Sequence, residues 1–219
     1  MTKIDGPRLA PKSGKADALV VFLHGYGADG NDLIDLGQQW QNWLPHAAFV
    51  SPHAPEPCGM SPMGRQWFPL TMRDPSERWR GVVDARPSLD AFLDDELQRH
   101  NLTPDRLALV GFSQGTMMAL HTGLRRSISP AAILGYSGVL VGPEHLQEAT
   151  AKPNILLVHG DRDEVIPLDA LFMSTNALGE AEIACQWHLS FGMGHGIDGS
   201  GLRHGGLFLA QALYGCTPE

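Results

Sequence analysis

Leu107-Ala108-Leu109-Val110-Gly111-Phe112-Ser113-Gln114-Gly115-Thr116-Met117-Met118-Ala119-Leu120 decides how this chain is read. Residues 107–110 are a short apolar β-type run, and the stretch that opens at Thr116 suits a helix. Ser113 therefore stands at a tight strand-to-helix turn, which strains its backbone and projects its hydroxyl. The chain crosses itself at such a turn and leaves no room for side chains two positions away, a demand met by Gly111 and Gly115. In a chain with 25 glycines the pattern alone is weak, so its surroundings have to carry the reading.

Outward from this turn, apolar runs alternate with helical patterns. Ala18–Leu23 is continuously apolar and stops at His24-Gly25-Tyr26-Gly27, as a parallel strand buried on both faces does. Leu33 to Trp43 has helical spacing, Ala47–Val50 is a second strand, and Val82–Leu97 is helical again. Ala131–Leu134 and Asn154–Val158 are further strands, Leu168–Leu178 is a helix, Ile183–Phe191 is the last strand, and Leu202–Leu213 is the final helix. This alternation predicts one α/β domain spanning residues 1–219, with a mainly parallel sheet, helices on both faces and ligands beyond the carboxyl ends of the strands. Pro52–Gly81 is the long exception, an aromatic- and proline-rich loop anchored by Trp67, Phe68 and Leu70. Between Ser137 and Pro153 the chain is too short for a cap domain.

Composition narrows the function. The 219 residues are 43% hydrophobic, enough for a continuous core, and 16 Lys and Arg against 24 Asp and Glu give a net charge of −8. Such a balance disfavours nucleic acid as a partner. Cys58, Cys185 and Cys216 are odd in number and widely spaced, against a disulfide framework or a zinc site, and fit a reducing compartment. The first residues lack a signal-peptide core, and no apolar run approaches the ~20 residues of a membrane span, so a cytoplasmic location is expected.

A serine hydroxyl needs a base, and the base an orienting carboxylate, in the chain order Ser, Asp or Glu, His for this arrangement of elements. His159-Gly160-Asp161-Arg162-Asp163-Glu164 follows a strand and offers three acids. Asp163 is chosen because it precedes the segment Val165-Ile166-Pro167 that leads into a helix, whereas Asp161 beside Gly160 suits a turn or a local backbone bond. His195, in the glycine-rich Gly192-Met193-Gly194-His195-Gly196, is the expected base; its competitor His204 belongs to the final helix. Ser137, in Gly135-Tyr136-Ser137-Gly138, lacks the second glycine at the required spacing and a following helix, and reads as a strand-end turn. Backbone N–H groups of Gln114, at a helix N-terminus, and of Tyr26 are the expected oxyanion donors, with His24 structural.

The motifs Leu23-His24-Gly25-Tyr26-Gly27-Ala28-Asp29, Gly111 to Gly115, His159 to Asp163 with Val165-Ile166-Pro167, and Gly192 to His195 together resemble the phospholipase/carboxylesterase family, which includes acyl-protein thioesterases. The resemblance runs from about Ala18 to Leu213. It implies an α/β-hydrolase fold without a large cap, no cofactor or metal, and cleavage of carboxylic esters or thioesters through an acyl-serine. By motif it implies Ser113 as nucleophile, His195 as base, Asp163 as orienter, and Tyr26 and Gln114 as oxyanion donors. It also implies that Trp67-Phe68, with Leu70, helps build an acyl pocket; Pro69 stands where many members carry an acid. A small or lipid-like acyl ester, or an acylated protein, is the implied substrate, and pairing into homodimers is a family habit. Lysophospholipase and acyl-protein thioesterase activities are the close alternatives. An amidase or peptidase, a metal hydrolase built on His159, Asp161 and Asp163, and a non-catalytic binding module on the same fold are the rivals.

Overall fold

The computed structural model describes residues 4–59, 61–71, 74 and 76–216. In chain order the elements are β1 (Arg8–Leu9), β2 (Ala18–Leu23), α1 (Asn31–Trp40), β3 (Ala47–Val50), β4 (Glu56–Pro57), β5 (Arg65–Gln66) and α2 (Glu77–His100). There follow β6 (Leu107–Phe112), α3 (Gln114–Gly123), β7 (Ala132–Tyr136), β8 (Asn154–Gly160), α4 (Asp169–Glu180), β9 (Cys185–Ser190) and α5 (Gly199–Tyr214). Seven strands form one sheet in the order β1-β3-β2-β6-β7-β8-β9. Within this sheet every pairing is parallel except that of β1 with β3.

The two-residue period of a strand sends alternate side chains to opposite faces. Leu19, Val21 and Leu23 of β2 enter a core shared with α2, α3 and α4, while Ala18, Val20 and Phe22 enter a second core under α1 and α5. Each central strand is thus apolar throughout because both of its faces are covered. The segment between β7 and β8 holds only a short 3-10 turn at Pro143–Glu148, so no large cap covers the carboxyl ends of the strands.

The long loop expected over residues 52–81 is interrupted by secondary structure. β4 and β5 pair within it as a small antiparallel ladder, and α2 starts at Glu77. Gly81 therefore lies inside the helix, where a Cβ would sit 2.3 Å from Cδ2 of Phe68. The glycine that reads as loop punctuation is the seat of an aromatic ring. Pro87 also lies within α2, removing one helical N–H and blurring the pattern further. β6, β7 and β8 run past their apolar cores to Phe112, Tyr136 and Gly160, which brings His159 into strand β8.

Candidate active site

Ser113 follows β6 and immediately precedes α3, with φ 53° and ψ −114°. Such a conformation costs a non-glycine residue about 1–3 kcal/mol and persists only where its surroundings enforce it. Its N–H donates to the Tyr136 carbonyl of the neighbouring strand at 2.9 Å, and its carbonyl accepts from Thr116 N at 3.0 Å. A Cβ on Gly111 would lie 2.4 Å from the Gly115 carbonyl, and one on Gly115 would lie 1.8 Å from the Leu23 carbonyl oxygen. The two glycines therefore meet a steric requirement at a chain crossing.

Asp163, in the loop after β8, is buried. One carboxylate oxygen accepts from the N–H groups of Val165 and Ile166, both at 2.9 Å, and the other lies 2.8 Å from His195 Nδ1. Burial pushes its pKa up, but the bonds from Ile166, His195 and Val165 outweigh that and hold the carboxyl below its usual value. Because the carboxylate can only accept, His195 carries its proton on Nδ1 and keeps Nε2 as the basic nitrogen. A second imidazole, His159, lies beneath: its Nε2 donates to the Ile166 carbonyl at 2.8 Å and stands 3.5 Å from Asp163. The Phe112 ring lies 4.9 Å from that of His195, at 51°.

The turn after β2 passes directly over the serine, so that a Cβ on Gly25 would lie 3.4 Å from Ser113 Cβ. His24 holds the turn from below. Its Nε2 accepts from Ala54 N–H at 3.0 Å, which leaves Nδ1–H to donate to Gly25 O at 2.8 Å. Burial lowers its pKa and keeps it neutral in that tautomer. Trp67 Nε1 donates to the His24 carbonyl at 3.0 Å, and Gly27 N–H donates to the Arg65 carbonyl of β5 at 2.9 Å. Gln114 joins the same assembly by its side chain, accepting from Trp67 N–H at 2.9 Å and donating to the Phe68 carbonyl at 2.8 Å.

A cavity of about 870 Å³ opens here, with Ser113, Gln114, His195 and Tyr26 in its wall. Leu70, Met117, Val165 and Ile166 make its apolar surface. Trp67 and Phe68, which the resemblance places at the acyl pocket, are not among the residues that line this wall. Both are buried in the core beneath, where Trp67 satisfies its indole N–H on His24 and Phe68 packs on Gly81. Their flanking residues Gln66 and Pro69 reach the cavity instead.

The remaining candidates stand apart from this cavity. Ser137 is buried at the end of β7, its hydroxyl 3.5 Å from the Gly196 carbonyl. His204 is exposed on α5 and stacks on His188 at 3.9 Å. Glu164 is exposed, and Asp161 accepts from Gly192 N–H at 2.6 Å. Among the described residues no group of three or more His, Cys, Asp or Glu could hold a metal ion, and no helix is long and apolar enough to cross a membrane. The sequence does not show the hydrogen bonds of the Gln114 side chain or the apolar wall formed by Met117, Val165 and Ile166, and His159, weighed there as a metal ligand, instead bonds the Ile166 carbonyl beside Asp163. For Gln114 a signal existed, an amide with both donor and acceptor beside the turn serine, but its partners lie 46 and 47 residues away.

Known proteins resemble this chain in sequence and in fold. The chain is similar to acyl-protein thioesterase 1 of Neurospora crassa, at 30% identity over 86% of this chain and 84% of that protein. It is similar to acyl-protein thioesterase 1 of Saccharomyces cerevisiae at 29% identity, over 75% and 78%. The crystal structure of esterase PE8 superposes with a TM-score of 0.93 at 45% identity, covering 96% of this chain and 100% of that one. The model of the phospholipase/carboxylesterase family matches residues 5–213, and the chain belongs to that family.

Proposed function

We propose that this chain is a serine carboxylesterase that hydrolyses carboxylic esters or thioesters through an acyl-serine intermediate. Ser113 is the nucleophile, His195 the base and Asp163 its orienter. Backbone N–H groups of Tyr26 and Gln114 receive the oxyanion. The observation that carries this reading is the 2.8 Å Asp163–His195 pair, whose imidazole shares one cavity wall with a serine held at φ 53°.

In the acylation half, His195 Nε2 takes the Ser113 proton as the oxygen attacks the acyl carbon, then returns it to the departing alcohol or thiol. In the second half the same nitrogen activates water, which adds to the acyl carbon, and Ser113 leaves with the proton. Charge develops on the carbonyl oxygen in both halves. The N-terminus of α3 and the turn over Ser113 supply fixed dipoles there, each donor worth roughly 2.7–4 kcal/mol in other hydrolases.

Ser113→Ala tests the assignment. Turnover of p-nitrophenyl butyrate is expected to fall by several orders of magnitude, roughly 10⁶ by analogy with a serine protease, and labelling by a fluorophosphonate is expected to vanish. Wild-type turnover in that variant would end the assignment.

Acyl-protein thioesterase activity is the second reading, favoured by the names of the relatives, and lysophospholipase activity fits the apolar cavity wall. Matched oxygen and sulfur esters of one acyl chain separate ester from thioester preference, and turnover of a lysophospholipid tests the lysophospholipase activity. Three unpaired cysteines support a cytoplasmic setting, and one sheet with a core on each face supports a single domain over residues 1–219. Homodimer formation stays a proposal for this chain, to be read from its mass in solution.

A further inference from the structure

β8 and β9 pair in register as far as Gly160 opposite Ser190, and both catalytic loops begin at the next residue. Beyond that point the strand ladder supplies no further rungs, yet Asp163 and His195 have to stay 2.8 Å apart. The segment that carries His195 is rich in glycine, at positions 192, 194 and 196, so its own backbone resists movement weakly.

From this geometry we infer that Asp161 is a positioning residue for the base, a clamp between the acid-bearing and base-bearing loops. The inference rests on the serine-esterase reading above. Asp161 Oδ1 accepts from Gly192 N–H at 2.6 Å, across 31 residues of sequence. The Asp161 N–H donates to the Ser190 carbonyl at 3.3 Å, and the next residue, Arg162, donates its N–H to the Met193 carbonyl at 2.9 Å. The carboxylate thus continues the strand ladder by one rung made from a side chain.

The rung falls where it constrains the base most. Gly192 has φ 76°, so the base loop leaves the sheet direction at the residue whose N–H Asp161 holds. Gly160 fits beneath this crossing only as glycine, since a Cβ there would lie 2.3 Å from the Met193 carbonyl oxygen. At its far end the loop is closed by Ser190 Oγ donating to Asp198 Oδ1 at 2.7 Å, an oxygen that also caps α5 by accepting from Gly201 N–H at 2.7 Å. Beside the backbone bonds and the Asp163–His195 pair, Asp161 is therefore a side-chain tie between the base loop and the acid loop, as Asp198 ties the base loop to α5. Asp161 is absent from the described cavity wall, so its loss should alter placement of the imidazole and spare substrate binding.

Displacements of about 1 Å at a reacting centre cost up to about 100-fold in rate. In the full-length chain with p-nitrophenyl butyrate, Asp161→Ala is expected to lower kcat about 10- to 100-fold, with KM within about twofold of wild type. Amide exchange at Gly192 should quicken in the same variant. Asp161→Asn keeps the accepting oxygen and discards the charge, and should recover kcat to within about threefold of wild type. Asp161→Glu keeps the charge and displaces the oxygen, and should fall between the two. It also supplies the measurement if the alanine variant does not fold.

A folded Asp161→Ala or Asp161→Glu with wild-type kcat overturns the clamp, as does an asparagine variant no faster than the alanine one. If Ser113→Ala keeps its turnover, the esterase reading fails first. An inactive Ser113→Ala beside an unimpaired Asp161→Ala removes the clamp alone.

Discussion

Gln114 does two jobs with two different parts of one residue. Its backbone N–H opens α3 beside Ser113, and its side-chain amide holds the Trp67-Phe68 backbone to the turn. Gln114→Ala keeps the first and removes the second, leaving a buried N–H and a buried carbonyl without partners. About 2 kcal/mol of stability should be lost, since an orphaned buried polar group costs about 1–3 kcal/mol. The loop bearing Leu70 should also loosen, so that KM rises several-fold while kcat stays within about threefold. Urea denaturation and steady-state kinetics measure both, and an unchanged KM would count against the amide as an anchor of the cavity wall.

At the scale of elements, the edge of the sheet is secured by an ion pair rather than by strand length. β1 has only two residues, but Arg8 reaches from it to α2 and binds Glu96 through two bonds, of 3.0 and 2.7 Å. Glu96 is buried, and Arg99 is its other partner at 3.1 Å. Burial raises the Glu96 pKa, yet bonding to Arg8 and the charges of Arg8 and Arg99 outweigh it and hold the carboxyl down. Arg8→Met is expected to cost about 2 kcal/mol, below the usual figure for a broken buried pair because Arg8 is partly exposed. Adding Glu96→Gln should recover part of that loss in a denaturation cycle, and strict additivity would show that the pair is uncoupled.

The same scale shows why some elements could be read and others could not. β2 and β3 match their expected limits because strands buried on both faces leave unbroken apolar runs with turn residues at each end. β1, β4 and β5 have two residues each, too few for any period, and their pairing is set by Arg8 and by the fold of the loop. The first turn of α2 was hidden by the glycine that seats Phe68. For the site, Ser113, Asp163, Tyr26 and His195 were legible as candidates because each stands where a strand ends, a position that alternation reveals. The direction of a side chain within an irregular loop has no period, so the pocket role of Trp67 and Phe68 came from the resemblance alone, and both rings are buried in the core. Asp161 was read as a local turn former for the same reason, since its partner is 31 residues distant.

Across the whole molecule, buried imidazoles set the response to acid. His121 is buried on α3, with Nδ1 lacking a hydrogen-bond partner among the described residues. Burial, and then the charges of Arg125, Arg86 and His145, push its pKa down to about 3. A histidine in the unfolded chain titrates near ~6.5, so below that pH unfolding takes up a proton that the folded state refuses. The stabilisation is complete above about pH 6.5 and is lost progressively as pH falls toward 3, and His24 acts in the same direction. Tm should therefore decline from pH 7 to pH 4, by about 2–4 °C for each kcal/mol lost. His121→Phe should flatten that decline, and an identical slope in the variant would assign acid sensitivity to other groups.

Along residues 66–71 two adjacent aromatic rings are sunk into the interior, and Gln66 before them and Pro69, Leu70 and Thr71 after them line the cavity. Foldability and diet are consequently written in different letters of one short word. Substitutions at the outward positions are expected to shift which acyl groups are turned over at little cost in stability, and substitutions at the inward pair to lower stability, a contrast that chain-length panels and denaturation curves measure.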